Sequence, residues 1–291
     1  MLTNDVLPYW KDRSIKTITR RDVRTIVEIK KKVAPVRANR LLTLIKRFFS
    51  WAIEQDMLDE NPARNIKRVT QETSRDRVLN DQELCAVWNA AYDAGLIFGS
   101  ITQLLILTAQ RRDEVAGMRW SELNIDSGEW VIPATRSKNS VENRVPITDE
   151  ASRIIHSQLH IDGSDFVFPS GRNPMTKSFS GFGKSKARLD KISGVSDWRL
   201  HDLRRTAASG MARHQIAPHV VEKLLNHVSG VLGGVAGVYN RFGYEEEKRH
   251  ALKTWAAHIN DILNGNKVTD NVLQRLLSAH ELHGAGRSPH Q

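Results

Sequence analysis

Trp198-Arg199-Leu200-His201-Asp202-Leu203-Arg204-Arg205-Thr206 reads as the opening of a helix. In that conformation His201 lies three residues before Arg204 and four before Arg205, spacings that share one helix face. Leu200 and Leu203 then turn toward a core. A group that titrates near neutrality and a planar fork of hydrogen-bond donors point the same way, a pairing suited to a phosphate. By itself the pattern is common, and most such pairs are a solvated helix face. Its meaning depends on what the rest of the chain supplies.

The chain has 291 residues, a length that suggests two domains. Hydrophobic residues make up 40%, too many for a disordered chain. Cys85 is the only cysteine, which excludes an internal disulfide and a cysteine-based zinc site. It stands in the apolar pattern Leu84-Cys85-Ala86-Val87-Trp88 and reads as core, with a reducing cytoplasm as the default compartment. No apolar run reaches the length of a membrane span, and Met1-Leu2-Thr3-Asn4-Asp5 has no signal-peptide form. The net charge of +10 favours a polyanionic partner, most simply nucleic acid. Residues 1–68 carry sixteen Lys/Arg against eight Asp/Glu, so most of the excess lies there.

Residues 1–66 read as a small helical domain. Thr19 and Asp22 form a cap before Val23, Ile26, Val27 and Ile29, which supply a core face. Lys30-Lys31-Lys32 ends that helix with the charge its dipole favours. A second helix runs from about Pro35 to Gln55, with Leu41, Leu44, Ile45, Phe48, Phe49 and Ala52 at helical spacing. Arg37, Arg40, Lys46 and Arg47 lie off that stripe and are candidate DNA contacts, though each alone reads equally well as a solvated charge. Residues 67–78 lack an apolar period and read as a charged linker. A larger domain, 79–264, opens with Asn80 and Glu83 as a capping box. The run Ile101 to Leu107 predicts a fully buried helix leading into Arg111 and Arg112. Buried cations need partners, and Glu114 or a bound phosphate are the candidates. Leu123–Ile125, Glu129–Pro133 and Asn143–Ile147 read as short strands, with Lys138 in the second connection. Helices follow near 149–159, 184–191, 199–213, 218–225 and 244–263. A glycine-rich stretch after His227 leads to Tyr239, and 265–291 reads as a tail with a short amphipathic piece at Val272–Leu277. The fold class expected is mainly α with a small antiparallel β-sheet.

Taken in order, Arg111, Lys138, His201, Arg204, His227 and Tyr239 resemble the six motif residues of the tyrosine recombinases, the phage-type integrases. The matching wording is Thr108-Ala109-Gln110-Arg111, Lys138 before Arg144-Val145-Pro146-Ile147, His201-Asp202-Leu203-Arg204-Arg205-Thr206, Leu225-Asn226-His227 and Val238-Tyr239-Asn240-Arg241. Phe49-Ser50-Trp51-Ala52, Asn61-Pro62 and Trp255-Ala256 are similar to the branch found in prophages and genomic islands. The resemblance implies a helical core-binding domain followed by an α+β catalytic domain. It also implies that the amino-terminal arm-binding domain of full-length relatives is lacking.

The activity so implied is attack of a tyrosine oxygen on a DNA phosphodiester, giving a 3′-phosphotyrosine and a free 5′-hydroxyl. Arg111 and Arg204 would stabilise the charge that develops on the non-bridging oxygens, with no metal and no cofactor. Lys138 would protonate the leaving oxygen, His201 would handle the tyrosine proton, and His227 would bind or position the phosphate. Tyr239 is the expected nucleophile, ahead of Tyr244. Ala109 stands where the family often has glycine, and Arg205 reads as structural. The implied partners are double-stranded DNA attachment sites, a homotetramer on DNA, and accessory DNA-bending or excision factors. The implied location is the cytoplasm, at the nucleoid, and no membrane is involved. Two other readings share much of this: an impaired or truncated integrase that only binds DNA, and a type IB-like DNA relaxing enzyme.

Overall fold

Thr19 begins the first long helix of the computed structural model, which describes residues 1–73, 75–124, 126–227 and 242–284, with 266–284 as helix backbone only. Chain contacts divide it into Met1–Arg75 and Asp76–Gln291. In the amino-terminal unit a short helix α1 (Leu7–Trp10) precedes α2 (Arg20–Val33) and α3 (Pro35–Glu54). The Thr19 backbone N–H donates to Asp22 Oδ2 at 2.8 Å, and the Asp22 N–H donates to Thr19 Oγ1 at 3.3 Å, closing the capping box. Hydrogen bonds from Arg13 and Thr19 hold the Asp22 carboxyl far below the usual carboxylate range. Val23, Ile26 and Val27 pack against Leu41, Leu42, Ile45 and Phe49.

Ile29, expected on this core face, is instead 42% exposed. The position seven residues after Val23 is Lys30, and Lys30 turns inward to bond Asp5 at 2.7 Å. Ile29 is left on the flank. Asn39 on α3 is buried and was not singled out by periodicity. Its amide donates to Thr70 O and Glu72 Oε1, both at 2.8 Å, and its Oδ1 accepts the Val69 N–H at 2.9 Å. The charged segment after residue 67 therefore starts out fastened to α3.

In the carboxy-terminal unit Asn80 and Glu83 cap α4 (Asp81–Ala90). Helix α5 (Leu96–Thr108) is buried on every side from Phe98 onward, its polar Ser100, Thr102, Gln103 and Thr108 included. It packs against α4, the short α6 (Arg112–Ala116), α7 (Asp149–His156) and α9 (Leu200–Arg213). A three-stranded antiparallel sheet follows α6, in the order β1 (Leu123–Asn124), β2 (Glu129–Ile132) and β3 (Asn143–Pro146). Trp130 opposes Val145 and Ile132 opposes Asn143, which turns Trp130, Ile132 and Val145 into the core. Helices α8 (Phe182–Ser193) and α10 (Pro218–Leu224) flank α9 in sequence.

The last helix, α11 (Glu245–Gly284), runs on past the expected tail boundary at 265. No proline interrupts 245–284, and single glycines are tolerated within a helix. The side chains of Val272–Leu277 lie outside the described residues. Trp255 on α11 is fully buried and donates its indole N–H to Ile106 O at 2.8 Å. It lies over Gly210 of α9, where an added Cβ would come within 2.1 Å of the ring.

Gly210→Ala sets a helix-propensity gain of about 1 kcal/mol against overpacking of about 1–3 kcal/mol in a rigid core. At 2.1 Å from a buried ring the clash wins, so chemical unfolding shows a net loss, while Ser209→Ala on the exposed side of the same helix shows none. Asn39→Ala leaves the Val69 N–H and Thr70 carbonyl without their partner, a loss of about 2 kcal/mol. Hydrogen exchange on the whole chain reads it as faster exchange at amide 69, with the α5 amides unchanged.

Candidate active site

Helix α9 starts where Asp202 accepts the Arg199 backbone N–H at 2.8 Å. That start sets the face on which Arg204 points inward, 4% exposed. Its guanidinium donates to Ala109 O at 2.7 Å and to Leu225 O. Arg111, at the start of α6, donates to Asn226 O at 3.2 Å and to Glu114 Oε1 at 2.9 Å. Glu114 also accepts the Arg111 backbone N–H through Oε2, so one carboxylate caps the helix and orients the arginine. Two arginines 93 residues apart in sequence thus meet on consecutive carbonyls past the end of α10. Burial lowers the Arg204 pKa to about 10, and the Arg111 charge pushes it the same way. It stays protonated at neutral pH.

Ala109 adopts φ +55 at the end of α5, the left-handed conformation that favours glycine. Its carbonyl is the one that receives Arg204. Arg112 turns elsewhere, pairing with Asp113 at 2.7 Å and lying over the Phe182 ring. Arg205 bonds Asp202 at 2.6 Å.

Lys138 is exposed in the connection between β2 and β3. The base of that connection is held by Arg136, which bonds both oxygens of the buried Glu122 at 2.7 and 2.6 Å and donates to Glu114 O at 2.8 Å. Glu122 also accepts the Trp130 indole N–H at 3.0 Å. Gly117 leaves room for the Arg136 guanidinium, since a Cβ there would stand 3.0 Å from it. The tip is held by Asn226, whose amide donates to Ser137 Oγ at 3.0 Å and Val141 O at 3.1 Å. The Asn139 amide donates back to Asn226 O. Gln110 and Asn143 meet each other at 3.1 Å and both donate to Leu224 O.

His201 reaches solvent, yet partial burial pushes its pKa below the ordinary histidine value. The charges of Arg205, Arg204 and Lys138 push it further down, against the pull of Asp202. The imidazole is therefore neutral at pH 7 and able to accept a proton. His227 is half-buried, with Nδ1 3.2 Å from Glu222 Oε2. Tyr239 and the glycine-rich stretch before it lie outside the described residues. Tyr244 lies beside the His219 and Phe242 rings.

Of the cations picked out on α3, Arg37, Arg40 and Arg47 share one exposed flank, and Lys46 is half-buried on another. Arg40 pairs with Glu72 at 2.7 Å. A separate cleft of about 400 Å³ lies along α2, lined by Arg20, Arg24, Lys31, Lys67, Arg68 and the single carboxylate Glu28. Helical spacing was the available signal for Arg20, Arg24 and Lys31. Lys67 and Arg68 join them only through the fold. Arg136, Asn139 and the Asn226 side chain were also missed. Of these only Arg136 left a trace, as a basic residue near a strand that needs a carboxylate if buried.

Similarity to known proteins follows the same division. Residues 77–232 match the phage integrase family, and residues 1–69 match the phage integrase central domain. The chain is 30% identical over 270 residues to the prophage integrase IntZ of Escherichia coli K12, covering 91% of this chain and 66% of that one. It is 27% identical to the prophage integrase IntA of the same strain, covering 88% and 62%. The chain thus spans slightly less than two thirds of the length of these relatives. A lambda integrase fragment, solved as a dimer bound to a COC′ core site, shares the fold with a TM-score of 0.60 at 19% identity, over 77% of this chain and 84% of that one. A helical amino-terminal unit, a small sheet and two arginines gathered at one helix end thus accompany a family match over more than half the chain, and the protein belongs to the phage integrase family.

Proposed function

We propose that the protein is a site-specific DNA recombinase that integrates or excises a mobile element, cleaving and rejoining DNA through a 3′-phosphotyrosine on Tyr239. The observation that carries this reading is the meeting of Arg111 and Arg204, with Glu114 the only carboxylate bonded to the pair among the described residues. Neutral carbonyls orient the Arg204 fork and one side of the Arg111 fork, so the pair keeps a net positive charge beside Glu114, which suits a dianionic phosphorane.

The Tyr239 oxygen attacks phosphorus and the P–O5′ bond breaks. The neutral His201 takes the tyrosine proton, and the Lys138 ammonium gives one to the departing 5′-oxygen. His227, aligned by Glu222, bonds a non-bridging oxygen. Religation reverses these transfers, and the bond energy kept in the phosphotyrosine removes any need for a nucleotide cofactor. The assignment of Tyr239 rests on the resemblance of Val238-Tyr239-Asn240-Arg241 to the family motif. The amino-terminal unit holds the duplex through Arg37, Arg40, Lys46 and Arg47 together with the cleft at Arg24 and Lys31, giving salt-dependent affinity. Assembly as a tetramer on two attachment sites, with accessory bending or excision factors, completes the reading. The protein then works in the cytoplasm at the nucleoid. Among the described residues no helix is long and apolar enough to cross a membrane.

A nicked suicide duplex carrying the element's attachment sequence traps a covalent protein–DNA adduct with the wild type and none with Tyr239→Phe. An undiminished adduct with Tyr239→Phe would reject the nucleophile. The depressed pKa of His201 sets the pH dependence. Protonation removes its ability to accept a proton, so cleavage at subsaturating DNA holds its rate as pH falls through about 6.5, the ordinary histidine value, and declines only below it. In His201→Gln that acid limb disappears; a limb unchanged in the variant would assign it to another group.

A further inference from the structure

We propose that Asn226 is a positioning residue that sets the Lys138 ammonium relative to the two arginines, and so governs protonation of the leaving 5′-oxygen. The inference rests on the reading of Lys138 as proton donor given above. Asn226 is bonded to both halves of the site, the arginines and the tip of the connection that carries Lys138. Its carbonyl receives the Arg111 guanidinium at 3.2 Å, and its amide grips the β2–β3 connection on both sides of Lys138, at Ser137 Oγ and Val141 O. Asn139, directly after Lys138, closes the link by donating to the same Asn226 carbonyl.

The backbone at Asn226 has φ +48, the left-handed conformation that glycine adopts without cost and asparagine tolerates better than most residues. Glycine would satisfy the turn and leave the carbonyl to Arg111. What asparagine adds is the two side-chain bonds to the connection. Lys138 itself is exposed, and no hydrogen bond or ion pair holds it among the described residues. A long, flexible ammonium side chain of this kind takes its position from the backbone beneath it. The bonds at Ser137, Asn139 and Val141 supply that backbone with a reference point, and the reference point is the peptide that holds Arg111. A displacement of the connection would leave phosphate binding intact and put the proton donor out of reach.

Asn226→Gly separates the two contributions, because it keeps the turn and removes only the amide. The readout is single-turnover cleavage of the suicide duplex, compared with the same duplex carrying sulfur in place of the bridging 5′-oxygen. A thiolate leaves without a proton, since thiols ionise near pH 8.5. With oxygen, Asn226→Gly slows cleavage by about 10- to 100-fold, the size of effect expected from misplacing a catalytic group by about 1 Å. With sulfur it cleaves within about threefold of the wild type, because the misplaced group is no longer needed. Ser137→Ala, which drops one of the two bonds and leaves the turn untouched, shows the same pattern with a smaller loss. Equal slowing of Asn226→Gly on both duplexes, or no slowing on either, overturns the proposal. Lys138→Ala run in parallel tells the two readings apart. If it is slowed equally on both duplexes, Lys138 is not the proton donor and the proposal falls with that reading. If sulfur rescues Lys138→Ala but not Asn226→Gly, only the positioning role fails.

Discussion

The peptide carbonyls at the end of α10 are the point on which the site depends. Leu224, Leu225 and Asn226 present their carbonyl oxygens at and just past the end of α10. Side chains from three other segments satisfy them: Gln110 and Arg111 after α5, Asn139 and Asn143 around the β2–β3 connection, and Arg204 from α9. The negative end of a helix dipole favours cations nearby. Carbonyls can therefore hold two arginines close together with Glu114 the single carboxylate bonded to them among the described residues, too little to neutralise both. The cost is a buried, weakly compensated charge at Arg204, visible in its depressed pKa. A bound phosphate would offset that cost.

Much of the rest of the carboxy-terminal unit keeps those segments in register. Helix α5 runs through its centre and delivers Ala109, Gln110 and Arg111 in succession. Trp255 bonds the α5 backbone and nests against Gly210 of α9, which fixes α9 relative to α5. Thr206, two residues past Arg204, accepts the Leu79 N–H at 3.0 Å and ties α9 to the start of the unit. Arg136 joins Glu122, Trp130 and the α6 backbone, so the sheet and the first arginine share one support. Lys138, by contrast, stands on a connection held at its tip by hydrogen bonds from the Asn226 and Asn139 amides.

Where periodicity or capping chemistry governs an element, the reading from residues alone was close. Thr19 with Asp22 and Asn80 with Glu83 cap as their spacing implies, and the apolar residues Ile101, Leu104, Leu105, Ile106 and Leu107 lie on a helix buried on all sides. Ile29 failed because a count of apolar residues does not weigh which flank an inward lysine claims. Asn39 and Asn226 were passed over for another reason. An asparagine in a polar stretch looks the same whether it faces water or bonds distant backbone.

Sequence by itself determined the elements, the two-part organisation of the charge, and which residue types stand in the six motif positions. Those follow from local physics: helix and strand periods, caps, and the chemistry each side chain carries wherever it lies. Only the tertiary structure decided that Arg111 and Arg204 donate to consecutive carbonyls, that Lys67 and Arg68 close a cleft with α2, and that Asn226 links the hairpin connection to the arginines. Each is a contact between residues far apart in sequence. No period encodes such contacts, because they depend on how packed helices bring their ends together.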